Sequence, residues 1–312
     1  MLARLQQGIV AGLLLLVVGW LWWSRHYPIG VIVAGLLLLA GAHAVFLAME
    51  FALVHRTNRH DPAPRAAVWL LLRAWLAESL VAPQVFLWRQ PFRSRAWPDN
   101  LSGATRGRRG VVLIHGFVCN RGLWNPWLEK LHAAGHGVVA VNLEPVFGSI
   151  DDYVQTIDAA VRDVTAATGK SPLLVCHSMG GLAARAWLRA RQADARVHQV
   201  VTIGTPHQGT WPGQFSHVPN GQQMRLASDW LQRLAADEAP ERASLFTCYY
   251  SNCDNIVFPA SGATLAGADN RFLPGLAHVA MAFDAQLMRE TMALLGATRP
   301  APPGAAPWPP AP

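Results

Sequence analysis

The sequence predicts an α/β domain built on a doubly wound, mostly parallel sheet with a small cap, preceded by two membrane-crossing helices. Two patterns carry this. After Gly110, five short apolar runs alternate with helix-length segments, and two long, nearly uncharged runs occupy the first 54 residues. The composition agrees: 52% of the 312 residues are hydrophobic and 14% charged, against roughly a quarter charged in an ordinary soluble domain. Before Arg56 the only charged side chains, histidines aside, are Arg4, Arg25 and Glu50. A wholly soluble protein and an intrinsically disordered chain are thereby excluded.

Residues 1–60 read as a membrane anchor, with spans at about 5–23 and 29–54. The first holds the uncharged run Ile9 to Trp23 and ends in Trp20, Trp22 and Trp23, which suit a membrane–water interface. A cleaved signal peptide is disfavoured, because no small-residue cleavage site follows and apolar sequence resumes at Ile29. Only Ser24 to Pro28 separate the runs, so the spans form a tight hairpin. Arg25 is the one basic residue at its tip, whereas Arg4, Arg56, Arg59, Arg65 and Arg73 lie near its open end. That five-to-one ratio places both ends, and the downstream domain, in the cytoplasm of what is expected to be a bacterial inner membrane.

Residues 61–109 read as a membrane-proximal helix and linker. Ala66 to Trp88 is apolar and carries Trp69, Trp75 and Trp88, with Pro83 expected to break or kink it. Two readings stand: a helix lying on the bilayer, or a helix packed against the domain core. Arg106, Arg108 and Arg109, after Arg93 and Arg95, suit either a solvated linker or attraction to anionic lipid headgroups. The net charge of +7 comes with no basic stripe interleaved with aromatics, so no nucleic-acid partner is expected.

Residues 110–296 hold the predicted strands: Val111 to Ile114, Val138 to Val141, Leu173 to Cys176, Val200 to Ile203 and Thr247 to Tyr250. Continuous apolar runs bounded by Gly, Pro or Asn are strands buried on both faces. Helices are expected over Leu123 to Ala134, Ile150 to Ala167, Met179 to Ala193, Met224 to Ala236 and Val279 to Leu295. Ser149 with Asp152 is a capping-box-like start to the second and Gly169 its stop. Cys119, Cys176, Cys248 and Cys253 have no zinc spacing. Buried thiols are expected, with a Cys248–Cys253 bridge as the alternative in an oxidising compartment. Residues 297–312, with seven prolines, read as a disordered tail.

In such a sheet the chemistry lies at the carboxyl ends of the strands. The third strand runs into Cys176-His177-Ser178-Met179-Gly180-Gly181, which places Ser178 on a strand-to-helix turn with its hydroxyl exposed. Small residues are needed two positions either side; Cys176 stands where G-x-S-x-G has Gly. The first strand ends in His115-Gly116-Phe117, so the amides of Phe117 and Met179 are candidate oxyanion donors. The fifth strand ends in Ser251-Asn252-Cys253-Asp254, and His278 opens the final helix. Taken singly, an Asp or one of 12 histidines is structural. The order Ser178, Asp254, His278, all at strand ends, is much more specific.

These segments, with Thr202 to Gly209, resemble the bacterial lipase and esterase branch of the α/β-hydrolase family from Val111 to Leu295. The departure is Cys176. The resemblance implies a serine hydrolase of carboxylic esters: Ser178 the nucleophile, His278 general base and then acid, Asp254 its orienter, Phe117 and Met179 the oxyanion donors. It also implies a cap, here about 210–245, with Trp211, Phe215, Trp230 and Leu231 either binding an acyl chain or only packing it. No cofactor is expected. Asp269 alone precedes His278 as a nearby acid, so no metal is expected either. With the anchor, the substrate is expected to be a lipid acyl ester. Acyl transfer to an alcohol by the same triad and a non-catalytic tethered binding protein are the alternatives, and oligomeric state is not legible.

Overall fold

A computed structural model describes residues 1–297. The proline-rich tail expected over 297–312 lies, from residue 298 on, outside the described residues. Leu2–Ser24 (α1) and Ile29–Thr57 (α2) are unbroken helices, since neither run contains an internal proline or a competing polar cap. They pair as a hairpin: the Trp20 indole donates to Ile32 O at 3.0 Å and packs over Gly35, whose missing side chain makes room for it. Val68–Pro83 (α3) continues through a π-helical segment, Gln84–Arg89, into Gln90–Phe92 (α4). Pro83 therefore does not break the helix. The chain widens to π geometry directly after it, one of the ways a helix absorbs a local disruption.

Each of three helical stretches, Leu2–Ser24, Ile29–His60 and Val68–Phe92, is long and apolar enough to cross a membrane. The hairpin is tied down at both ends, to α4 at one and to the downstream domain at the other. Near the start of α1, Gln6 Nε2 donates to Gln90 Oε1 at 3.1 Å and Gln7 Nε2 to Pro91 O at 2.7 Å. Just past α2, Asn58 Oδ1 accepts from Ala260 N at 3.2 Å.

The domain is a six-stranded parallel sheet ordered β2-β1-β3-β4-β5-β6. Its strands are Val111–Ile114 (β1), Val138–Ala140 (β2), Leu173–His177 (β3), Gln199–Ile203 (β4), Phe246–Tyr250 (β5) and Asp269–Phe272 (β6). Five agree with the apolar runs. β6 was not expected, because its Asp-Asn-Arg-Phe lies at the sheet edge and is only partly covered, so it needs no apolar run. Along β1, Val112 and Ile114 face one core with Leu174, Cys176 and Val200. Val111 and Leu113 face the other with Val175, Val201 and Trp127. Burial on both faces is what the continuous apolar strands reported.

Helices Asn125–Ala133 (α5), Val154–Thr168 (α6) and Met179–Arg191 (α7) cover the sheet. The Ser149–Asp152 capping box forms, and Gly169 ends α6 in the left-handed region at φ 71°. The expected helix Met224 to Ala236 begins only at Asp229, as Asp229–Ala236 (α9), because Ser228 caps it by accepting from Leu231 N, and a short helix not expected, Pro219–Gln223 (α8), precedes it. Likewise Val279 to Leu295 divides into His278–Met281 (α10) and Ala285–Leu294 (α11), where Asp284 accepts from Leu287 N. All four cysteines are buried free thiols.

Candidate active site

Ser178 follows β3 with φ 56° and ψ −130°, a strained backbone that non-glycine residues adopt at functional turns. The strain is held from several sides. Ser178 N donates to Ile203 O at 2.9 Å, and Thr205 Oγ1 donates to Ser178 O at 2.8 Å. A side chain at Gly180 would come within 2.4 Å of Ile114 O, so the position two after the serine must be glycine. Two before it, the Cys176 side chain packs fully buried in the core and meets no such limit.

Asp254 and His278 are brought together by different means. Asp254 Oδ1 accepts from the amides of Ile256 and Val257 at 2.9 and 2.7 Å, which fixes its carboxylate at the end of β5. His278 Nδ1 lies 2.9 Å from both its oxygens, so Nδ1 is the donor and Nε2 is left for another partner. Burial by itself pulls the His278 pKa down. The charge and hydrogen bond of Asp254 outweigh it, aided by Glu78 and Glu50, and the net shift is upward.

The backbone around His278 is pinned as well. His278 N donates to Asn255 Oδ1 at 3.2 Å, and the His177 ring donates through Nε2 to His278 O at 3.2 Å. From α3, Glu78 accepts from Val279 N and Ala280 N, one carboxylate oxygen each, both at 2.9 Å. From α2, Glu50 accepts from Asn255 Nδ2 at 2.7 Å. Glu78 and Glu50 were not singled out from the sequence, although each is the sole acid in its long apolar helix. An ionisable residue in such a segment is a functional signal by default.

The β1 end lies against the serine: a side chain at Gly116 would meet Ser178 Cβ at 2.6 Å. His115 is a buried hydrogen-bonding residue. Its Nε2 accepts from Leu143 N at 3.1 Å, so its Nδ1 donates to Gly116 O at 2.9 Å. Burial pushes its pKa down to about 4, which keeps it neutral in that tautomer. With Gly116 O turned toward His115, the trans peptide points Phe117 N–H the opposite way.

Ser178 and His278 face one cavity of about 200 Å³, lined also by Leu47, Glu50, Glu78, Ala82, Phe86, Phe117, Ile256 and Val279. Its outer wall is α2 and α3. No residue of 210–245 lines it: Trp230 and Leu231 pack into the sheet core, and Trp211 stacks on Phe258 with centroids 5.8 Å apart. Asp269 pairs with Arg271 at 2.8 Å on β6. Among the described residues no group of three or more His, Cys, Asp or Glu side chains is placed to hold a metal ion.

A family model described as the alpha/beta hydrolase family matches residues 111–312, and the chain belongs to that family. Two solved structures share the fold. The mature Bacillus licheniformis lipase BlEst2 is 18% identical with a TM-score of 0.54, covering 61% of this chain and 92% of its own. Aspergillus fumigatus lipase B is 18% identical with a TM-score of 0.58, covering 65% of this chain and 56% of its own. No curated protein matches the chain.

Proposed function

We propose that the protein is a membrane-anchored serine hydrolase that cleaves carboxylic esters, with lipid acyl esters as substrates. The observation that carries this reading is the cavity: an elbow serine and an Asp-paired histidine open into an apolar space whose outer wall is two lipophilic helices. Names of the structural relatives point the same way, both being lipases.

In this reading His278 Nε2 takes the Ser178 proton as the hydroxyl attacks the acyl carbonyl. Asp254 holds the ring in the required tautomer and balances its charge. The amides of Phe117 and Met179 receive the oxyanion, each such donor contributing about 3–4 kcal/mol. The alcohol leaves with the proton from His278, and water activated by the same ring releases the acid. A cavity of about 200 Å³ is below the size that encloses a drug-sized ligand, which suits one acyl chain with the rest of the lipid outside. The domain is placed on the cytoplasmic face, on the strength of the arginines near the open end of the hairpin.

Fluorophosphonate labelling of the full-length protein tests the reading. Labelling that disappears in Ser178→Ala, with p-nitrophenyl esters hydrolysed in a chain-length-dependent way, is the expected result. Folded wild-type protein that takes no label would end it.

A further inference from the structure

The catalytic histidine of an α/β sheet is ordinarily a matter for the sheet and its own loops, yet here a carboxylate from outside the domain reaches it. Glu78 lies on the inner face of α3 with Leu71, Ala74 and Ala82, all buried, while Trp69, Leu72, Leu76 and Leu80 form the exposed outer face. It is 1% exposed, and both its oxygens are used on consecutive amides directly after His278. A carboxylate accepting one N–H on each oxygen fixes the plane of the peptides it binds. We propose that Glu78 is a positioning residue for His278: α3 latches the start of α10 and so sets where the imidazole stands relative to Ser178. This rests on the serine-hydrolase reading of the same site.

Three features of the contact support the assignment. The carboxylate is over 200 residues away in sequence from the amides it holds, so no local turn explains the contact. The other backbone ties of His278, to Asn255 and His177, hold its N–H and its carbonyl, whereas the amides of Val279 and Ala280, in the first turn of α10, have no partner within their own helix and take theirs from Glu78. Glu50 supports Asn255 from α2, so two neighbouring helices outside the family-matched region hold the same loop. The titratable groups facing His278 are Asp254, Glu78, Glu50 and His177, and among them the three carboxylates raise its proton affinity.

The test uses the full chain in lipid nanodiscs, with Glu78→Gln, Glu78→Ala and, as a structural control on the same helix face, Leu71→Ala. Fluorophosphonate labelling rates, ester kinetics and the NMR titration of the His278 ring are read on each. Glu78→Ala is expected to lower kcat about 10²-fold with little change in KM, the cost of a misplaced catalytic group. Glu78→Gln keeps one acceptor, so it loses less, and both variants move the His278 titration and the acid limb of the rate profile to lower pH. Leu71→Ala lowers the melting temperature without moving either. Glu78 variants that turn over and titrate like wild type, or that lose activity with the titration unmoved, overturn the proposal. Wild-type protein without Ser178-dependent labelling strikes instead at the hydrolase reading, and the His278 titration still decides the role of Glu78.

Discussion

The two halves of the molecule bury opposite kinds of residue. In the sheet, Leu113, Leu174 and Val201 are inside. In the N-terminal helices many large apolar side chains are outside, with Leu38 73% and Leu80 69% exposed, while Gln6, Asn58, Glu78 and Gln90 are buried. Water expels apolar surface, so the first arrangement is that of a chain folding in water. Lipid does not expel it, and polar groups there must find partners within the protein, which is the second arrangement. The contrast supports the proposal of a lipid-facing anchor joined to a domain that folds in water. It also explains why the helices touch the domain through hydrogen bonds such as those from the Val279 and Ala280 amides to Glu78 rather than through an apolar core alone.

The comparison is sharpened most by removing the chemistry from the water-folded half. Ser178→Ala is expected to lower kcat by on the order of 10⁶, with the protein still folded and membrane-bound. Asp254→Asn should follow with a loss of about 10⁴, since His278 would then hold the wrong tautomer; steady-state ester kinetics measure both. A pH profile of kcat/KM checks the sign of the His278 shift. The reacting ring must be neutral and its folded pKa is raised, so activity falls as pH drops through a value above 6.5. An acid limb below 6.5 would contradict it.

Packing predictions separate the halves further. Leu174→Ala, at a fully buried strand position, should cost about 2–5 kcal/mol in denaturant unfolding. Leu38→Arg on the outer face of α2 should cost about 2.5–3.5 kcal/mol of membrane insertion, read as protein lost from the carbonate-resistant fraction. If that variant inserts like wild type, α2 does not face lipid. The smallest effect is expected for Leu80→Ala, under about 0.5 kcal/mol in detergent, because the side chain leaves no cavity behind.

Five of the six strands, the two longest apolar helices and the placing of Ser178, Asp254 and His278 at strand ends were legible in the sequence. Each of those is a local pattern: a continuous apolar run such as Leu173 to Cys176 has few foldings open to it, and Ser178 is named by its four neighbours. What escaped it were contacts between distant segments. β6 is a strand only because β5 offers it an edge. The path through Pro83 depends on a π-helical adjustment that no residue type announces. The wall of the cavity, looked for in residues 210–245, is supplied by α2 and α3. Glu78 and Glu50 were visible as solitary acids in apolar helices, but nothing local says that they point at Val279, Ala280 and Asn255. Local free energies select elements from neighbouring residues; which carboxylate meets which amide is decided only when the whole chain has packed.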